Sequence, residues 1–213
     1  MMISPEAYYE MELKGKSLQE IQKEIESLKN EITELRKSLE DYEQPMEDEV
    51  DPDRLTRIKC DRKYLEKAIQ AYEEAGGTYI PSEEEKKSKE FDEGLVDLHV
   101  LRFSIGGFFE GHTVRTYTVI GDKVMMEEEH FPIEESPVPS DYEPWSAQAF
   151  IEELKNLHIG EWKQDYDNPY VLDGTQWSLE IQYGSDHSLV RIGGSNAFPY
   201  NFDDFMEFLG MDQ

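Results

Sequence analysis

The sequence predicts an α+β protein: an antiparallel helical hairpin of coiled-coil type, then a mainly antiparallel β-sheet domain with helices packed on one face. Three observations lead there. Apolar residues recur at steps of three and four through the first third of the chain, they alternate singly from Leu95 onward, and glycines and prolines punctuate the change.

The first helical pattern is "LQEIQKEIESLKNEITELRKSL", in which Leu18, Ile21, Ile25, Leu28, Ile32, Leu35 and Leu39 keep the rhythm without a miss. A second run, "LTRIKCDRKYLEKAIQAY", continues it through Leu55, Ile58, Leu65, Ile69 and Tyr72, with Arg62 breaking the pattern. The segment between them carries Pro45 and Pro52 and reads as a loop, and Gly76-Gly77 ends the second helix. Helices over 18–41 and 53–75 would be about 36 and 34 Å long. Matched lengths and a short connection predict an intrachain antiparallel hairpin. A parallel homodimer is the rival, because it would set Glu24 against Lys29 and Glu31 against Arg36 of a second chain. The hairpin would set Lys29 against Glu66 but Arg36 against Lys59. Exposed pairs contribute well under about 1 kcal/mol, so charge does not choose between the two.

Ser82 with Glu85 three residues on forms a capping box, which predicts a short charged helix at about 83–91. The domain boundary is placed at its end: residues 1–91 are the helical region and residues 92–213 the sheet domain. There "VDLHVLRFSI", "TVRTYTVI" and "KVMMEEEHF" read as strands, the last two joined by a Gly121-Asp122 turn. That turn sets Val119 against Val124, Tyr117 against Met126 and Arg115 against Glu128. After a proline-rich loop, Ser146 caps a helix carrying Phe150, Ile151, Leu154 and Leu157. The stretch "EWKQDYDNPYVLDGTQ" reads as irregular. In "WSLEIQYGSDHSLVRIGG", Trp177, Leu179, Ile181 and Tyr183 share one face, and pairing Tyr183 with Ser188 sets Ile181 against Val190, Leu179 against Ile192 and Glu180 against Arg191. Asn201 caps a last helix with Phe202, Phe205, Met206 and Leu209 on its apolar stripe, and Gly210 stops it. The sum is a sheet of about five strands.

The phrases "EEAGGTYIPS", "LHIGEW", "DGTQWSLEIQY" and "GSNAFPYNF" resemble a group of proteins from Gram-positive, Firmicutes-type anaerobic bacteria, over most of the chain from the second helix onward. The resemblance implies no activity and transfers no site.

Composition narrows the function classes. The formal net charge is −27. Residues 1–90 hold 15 basic and 24 acidic side chains, and residues 91–213 hold 6 and 24. The second part has few cations to offer phosphates, which disfavours nucleic acid and anionic membrane surfaces as partners. No apolar run reaches the length of a membrane span, the first residues lack the pattern of an export signal, and Cys60 is alone. A cytoplasmic protein is expected.

Chemistry is sparse. His130 shares a strand face with Glu128, and His99 or His112 would have to converge on them from a neighbouring strand to make a zinc site, so no metal and no cofactor is expected. Asp165, Asp167 and Asp173 do not fit a calcium loop, because Pro169 and Tyr170 stand where a ligand and a glycine are needed. The candidate binding surface comprises Trp162, Tyr166, Trp177, Asn196, Phe198 and Tyr200, aromatics and a small polar residue in irregular segments beside a rigid sheet; core packing is the competing reading for each. Three functions are weighed. The first is a protein-interaction or scaffold protein that self-associates or binds a partner through residues 18–75. The second is an acidic mimic of nucleic acid that inhibits a basic protein. The third is an enzyme of unrecognised type, and non-enzymatic function is favoured over it.

Overall fold

The computed structural model describes residues 3–41, 52–107, 111–132, 143–171, 173–184 and 189–211. The expected loops over 42–51, 108–110 and 133–142, and the pairing of Tyr183 with Ser188, lie outside the described residues. The chain divides into two compact units, Met1–Pro81 and Ser82–Gln213.

The first unit is built on the hairpin. Helix α1 (Pro5–Tyr8), capped by Ser4, runs directly into a π-helical turn, Tyr9–Leu13. Helix α2 (Leu18–Leu39) starts at a Ser17/Glu20 capping box, and α3 (Pro52–Glu74) packs along it within the same chain. Ile21, Ile25, Leu28 and Ile32 of α2 are buried as the heptad predicts, whereas Leu35 and Leu39 are half-buried and Leu18 is 38% exposed. On α3 the buried stripe is Ile58, Asp61, Tyr64, Ala68 and Ala71; of the expected row only Ile58 is fully buried, and Leu55, Leu65, Ile69 and Tyr72 are half-buried. The reason is the N-terminal segment, for which the sequence pattern offered no element. Tyr8 stacks on Tyr64 with ring centroids 4.3 Å apart, and the Tyr64 hydroxyl donates to the Ile3 carbonyl at 2.7 Å. A third layer thus draws the small and aromatic side of α3 inward. The charge pairing also differs from expectation: Glu31 holds Arg57, and Lys29 reaches the Tyr79 hydroxyl at 3.2 Å.

In the second unit α4 (Glu83–Gly94) begins at the predicted Ser82/Glu85 box. It packs against a 3-10 turn, Ile159–Glu161, so it belongs with the sheet, and the division falls ahead of it at Pro81/Ser82. Among the described residues six strands follow: β1 (Leu98–Gly107), β2 (Gly111–Ile120), β3 (Lys123–Phe131), β4 (Asp165–Asp167), β5 (Thr175–Tyr183) and β6 (Leu189–Ser195). Their order is β3-β2-β1-β5-β6-β4. All pairs are antiparallel except β4 with β6, a short parallel edge inside the segment read as irregular. The register matches the sequence pattern at Val119↔Val124, Tyr117↔Met126, Arg115↔Glu128, Ile181↔Val190, Leu179↔Ile192 and Glu180↔Arg191. A shift in pairing between Leu98 and Val100 lets Leu98 and Leu101 both turn inward.

Helices α5 (Ala147–Asn156) and α6 (Phe202–Phe208) cover one face. Phe103 meets Phe205 edge-on at 5.2 Å, Tyr117 packs on Phe150 at 5.4 Å, and Phe150 on Phe208 at 4.8 Å. By alternation the opposite face carries Glu127, Thr116, Arg102, Glu180 and Arg191 across the strands, and Arg191 donates to Glu180 at 2.9 Å.

Candidate functional site

The candidate binding residues converge, but inward. Trp162, Tyr166, Trp177 and Tyr200 are all buried. Trp162 and Trp177 meet edge-on at 6.1 Å, with Tyr166 5.8 Å and Phe202 5.0 Å from Trp177. Each indole N–H has a partner, as a buried donor requires. Trp177 Nε1 donates to the Ala197 carbonyl at 2.9 Å, and Trp162 Nε1 donates to Asn201 Oδ1 at 2.9 Å. Asn201 Nδ2 in turn donates to the Leu157 carbonyl at 2.7 Å. Asn201 stands at the start of α6, yet its side chain makes no cap there; it ties the end of α5 to the first turn of α6 through Trp162.

Asn196 and Phe198 complete this clasp. Asn196 adopts a left-handed backbone (φ 54°), and its amide nitrogen lies 3.4 Å from the Val171 carbonyl. A Cβ on Gly174 would run into the Asn196 side chain. One on Gly194 would stand 2.5 Å from Trp177 Nε1 and 2.7 Å from the Ala197 carbonyl. Phe198 packs on Phe202 at 4.8 Å. Gly174, Gly194 and the tryptophans and asparagines of "LHIGEW", "DGTQW" and "GSNAFPYN" therefore pack as architecture, whereas Gly160 of "LHIGEW" stands against Ser88 and Phe91 of α4. Asn201, read only as a cap, is the central polar residue that periodicity could not show, because its partners lie 39 and 44 residues away.

The histidine candidates divide between the two sheet faces. His112 pairs with Phe131 while Thr113 pairs with His130, so His112 and His130 point to opposite sides. Among the described residues no group of three His, Cys, Asp or Glu side chains is placed to hold a metal. What forms instead is a relay on the helix-covered face. Thr113 Oγ1 lies 3.0 Å from His130 Nδ1, and His130 Nε2 lies 3.0 Å from Glu128 Oε1. Arg115 holds the other Glu128 oxygen and also donates to the carbonyls of Leu209 and Gly210 at the end of α6. The side chains of Arg115 and Glu128 are only 12% and 7% exposed. Burial, the largest single effect, works against both charges; their mutual hydrogen bond and attraction, joined by His130 at Glu128 and by Tyr117 at Arg115, together outweigh it and hold the Glu128 carboxyl below the usual range and the Arg115 guanidinium above its own. An imidazole between a hydroxyl and a carboxylate can relay a proton. Here its carboxylate is committed to Arg115, which anchors α6.

A cleft of about 320 Å³ lies elsewhere in this unit, lined by Phe91, Ile159, Trp162, Gln164 and the β6 segment Leu189–Ile192. It opens where β4 stops short of pairing with the first residues of β6.

A second charged cluster sits in the hairpin. Asp61 is 6% exposed within the apolar stripe of α3, and its Oδ2 is 3.8 Å from Arg57 Nε with no hydrogen-bond partner among the described residues. Burial first, then the neighbouring Glu31 charge, push the Asp61 carboxyl up to about 6 against a smaller opposing effect of Arg57.

No family model, curated protein or solved structure matches the chain.

Proposed function

We propose that this chain is a protein-interaction protein that works through its helical hairpin, associating with a second copy of itself or holding a partner along residues 18–75. The observation that carries the reading is a second apolar row. Leu65, Ile69 and Tyr72 follow one another at helical spacing on α3 and stay half-buried after α2 and the N-terminal segment have packed, while Leu18 of α2 is exposed. Rows of this kind, flanked by lysine and glutamate, are what helical bundles bury between chains. The acidic-mimic reading draws less support, because on the open sheet face Arg102 and Arg191 interrupt the carboxylates.

Sedimentation equilibrium of the full chain tests this. The expected result is a dimer mass in the micromolar range that falls to the monomer in a Leu65→Glu/Ile69→Glu variant whose helical circular dichroism is unchanged. A wild-type monomer that also co-purifies with no partner overturns the proposal.

A further inference from the structure

Asp61 is the most buried carboxylate in the described hairpin, and its surroundings fit its neutral form better than its charged form. It replaces an apolar residue in the stripe between Ile58 and Tyr64. The facing groups are few. Among the described residues of its own helix, Arg57 is the cation within ion-pair distance, and its guanidinium is taken by Glu31 of α2, on a side chain 55% exposed. From the N-terminal segment comes Tyr8, whose hydroxyl donates to Glu24 at 2.6 Å and so does not serve Asp61. Two carboxylates share one half-solvated arginine, and the deeper of the two lacks a donor.

We propose that Asp61 is an acid-responsive element of the hairpin: taking up a proton tightens the packing of α2 on α3, and losing it at neutral pH loosens that packing. The sign follows from linkage. The folded-state carboxyl titrates at about 6, above its ordinary value of 3.8, so the folded state binds the proton more tightly than the unfolded chain does. Stability from this group is fully present at low pH and is lost as pH rises through the folded-state value. Those two values make the unfolding constant rise about tenfold between roughly pH 5 and pH 7.5.

The test uses the full chain. Trp145, Trp162 and Trp177 are its three tryptophans and all lie in the second unit, so their fluorescence follows that unit while far-UV circular dichroism is dominated by α2 and α3. The dichroism midpoint on heating is expected to rise by roughly 5 °C on going from about pH 7.5 to about pH 5. In Asp61→Asn the midpoint should stand at the higher value at both pH values. A variant that keeps the wild-type pH slope, or one that is less stable than wild type at neutral pH, overturns the proposal. Should Asp61→Asn not fold, the carbon-13 titration of the Asp61 carboxyl decides: a midpoint near 6 supports the device, and one at an ordinary aspartate value ends it. The carboxyl titration does not require self-association, and the midpoints are compared at one protein concentration.

Discussion

Asn201 shows how much one side chain can hold when both ends of its amide are used. It accepts from Trp162 and donates to the Leu157 carbonyl in a buried setting. Asn201→Ala leaves an indole N–H and a carbonyl without partners, each costing about 1–3 kcal/mol, so a loss of roughly 2–4 kcal/mol is expected in urea unfolding followed by tryptophan fluorescence. Asn201→Asp should be no better, because a carboxylate can accept from Trp162 but cannot donate to Leu157. Gly194→Ala should fail differently. Its methyl would press on Trp177 Nε1 and the Ala197 carbonyl, so the variant must give up the Trp177 hydrogen bond, seen as a change in tryptophan emission before any unfolding. The sequence marked Trp162, Trp177 and Asn196 as unusual, and they are. It could not say that Trp162 and Trp177 meet edge-on while Asn196 reaches the Val171 carbonyl, because alternation reports which side of a strand a residue occupies and not what is packed there.

At the scale of elements, Arg115 joins three of them. It pairs with Glu128 across β2 and β3 and donates to the last carbonyls of α6, where a cation is favoured by the helix dipole. Arg115→Met should cost about 3 kcal/mol or more, since it leaves the Glu128 carboxylate buried without its partner. Adding Glu128→Leu should restore part of that loss, and a double-mutant cycle in denaturant measures the coupling. The pH response of this pair is the ordinary one. Glu128 titrates below its usual value, so its contribution is present above about pH 4.5 and is lost as pH falls through the folded-state value. The hairpin elements were equally legible in their extents: α2 and α3 lie where the heptads put them. The rotation of α3 was not. Leu55, Leu65, Ile69 and Tyr72 make the more hydrophobic stripe in sequence, but the stacking of Tyr8 on Tyr64 and the close packing allowed by Ala68 and Ala71 turned the neighbouring stripe inward, Asp61 with it.

For the molecule as a whole, Asp61 and Glu128 give the two compact units contributions of opposite acid dependence. The hairpin gains stability as Asp61 takes up its proton near pH 6, and the sheet unit loses it below about pH 4.5 as Glu128 is neutralised. Between those values circular dichroism and tryptophan fluorescence should give midpoints that move apart, and coincident midpoints across the whole range would contradict the assignment of the two carboxylates to separate units. Residues 1–81 hold a core cluster of their own, centred on Tyr8, Ile21, Ile25, Leu28, Tyr64 and Ala68. Expressed alone, they are expected to give a cooperative, helical thermal transition.

Periodicity, caps and turn residues were enough to place the α+β class, the long helices, the hairpin registers and the start of α4, because each depends on neighbours a few residues apart. Long-range contacts decided the rest: the parallel β4 edge, the side of α3 that is buried, and the inward turn of the aromatic clasp. Those contacts join residues tens of positions apart, and a local pattern of polar and apolar side chains carries no record of which distant surface will meet it.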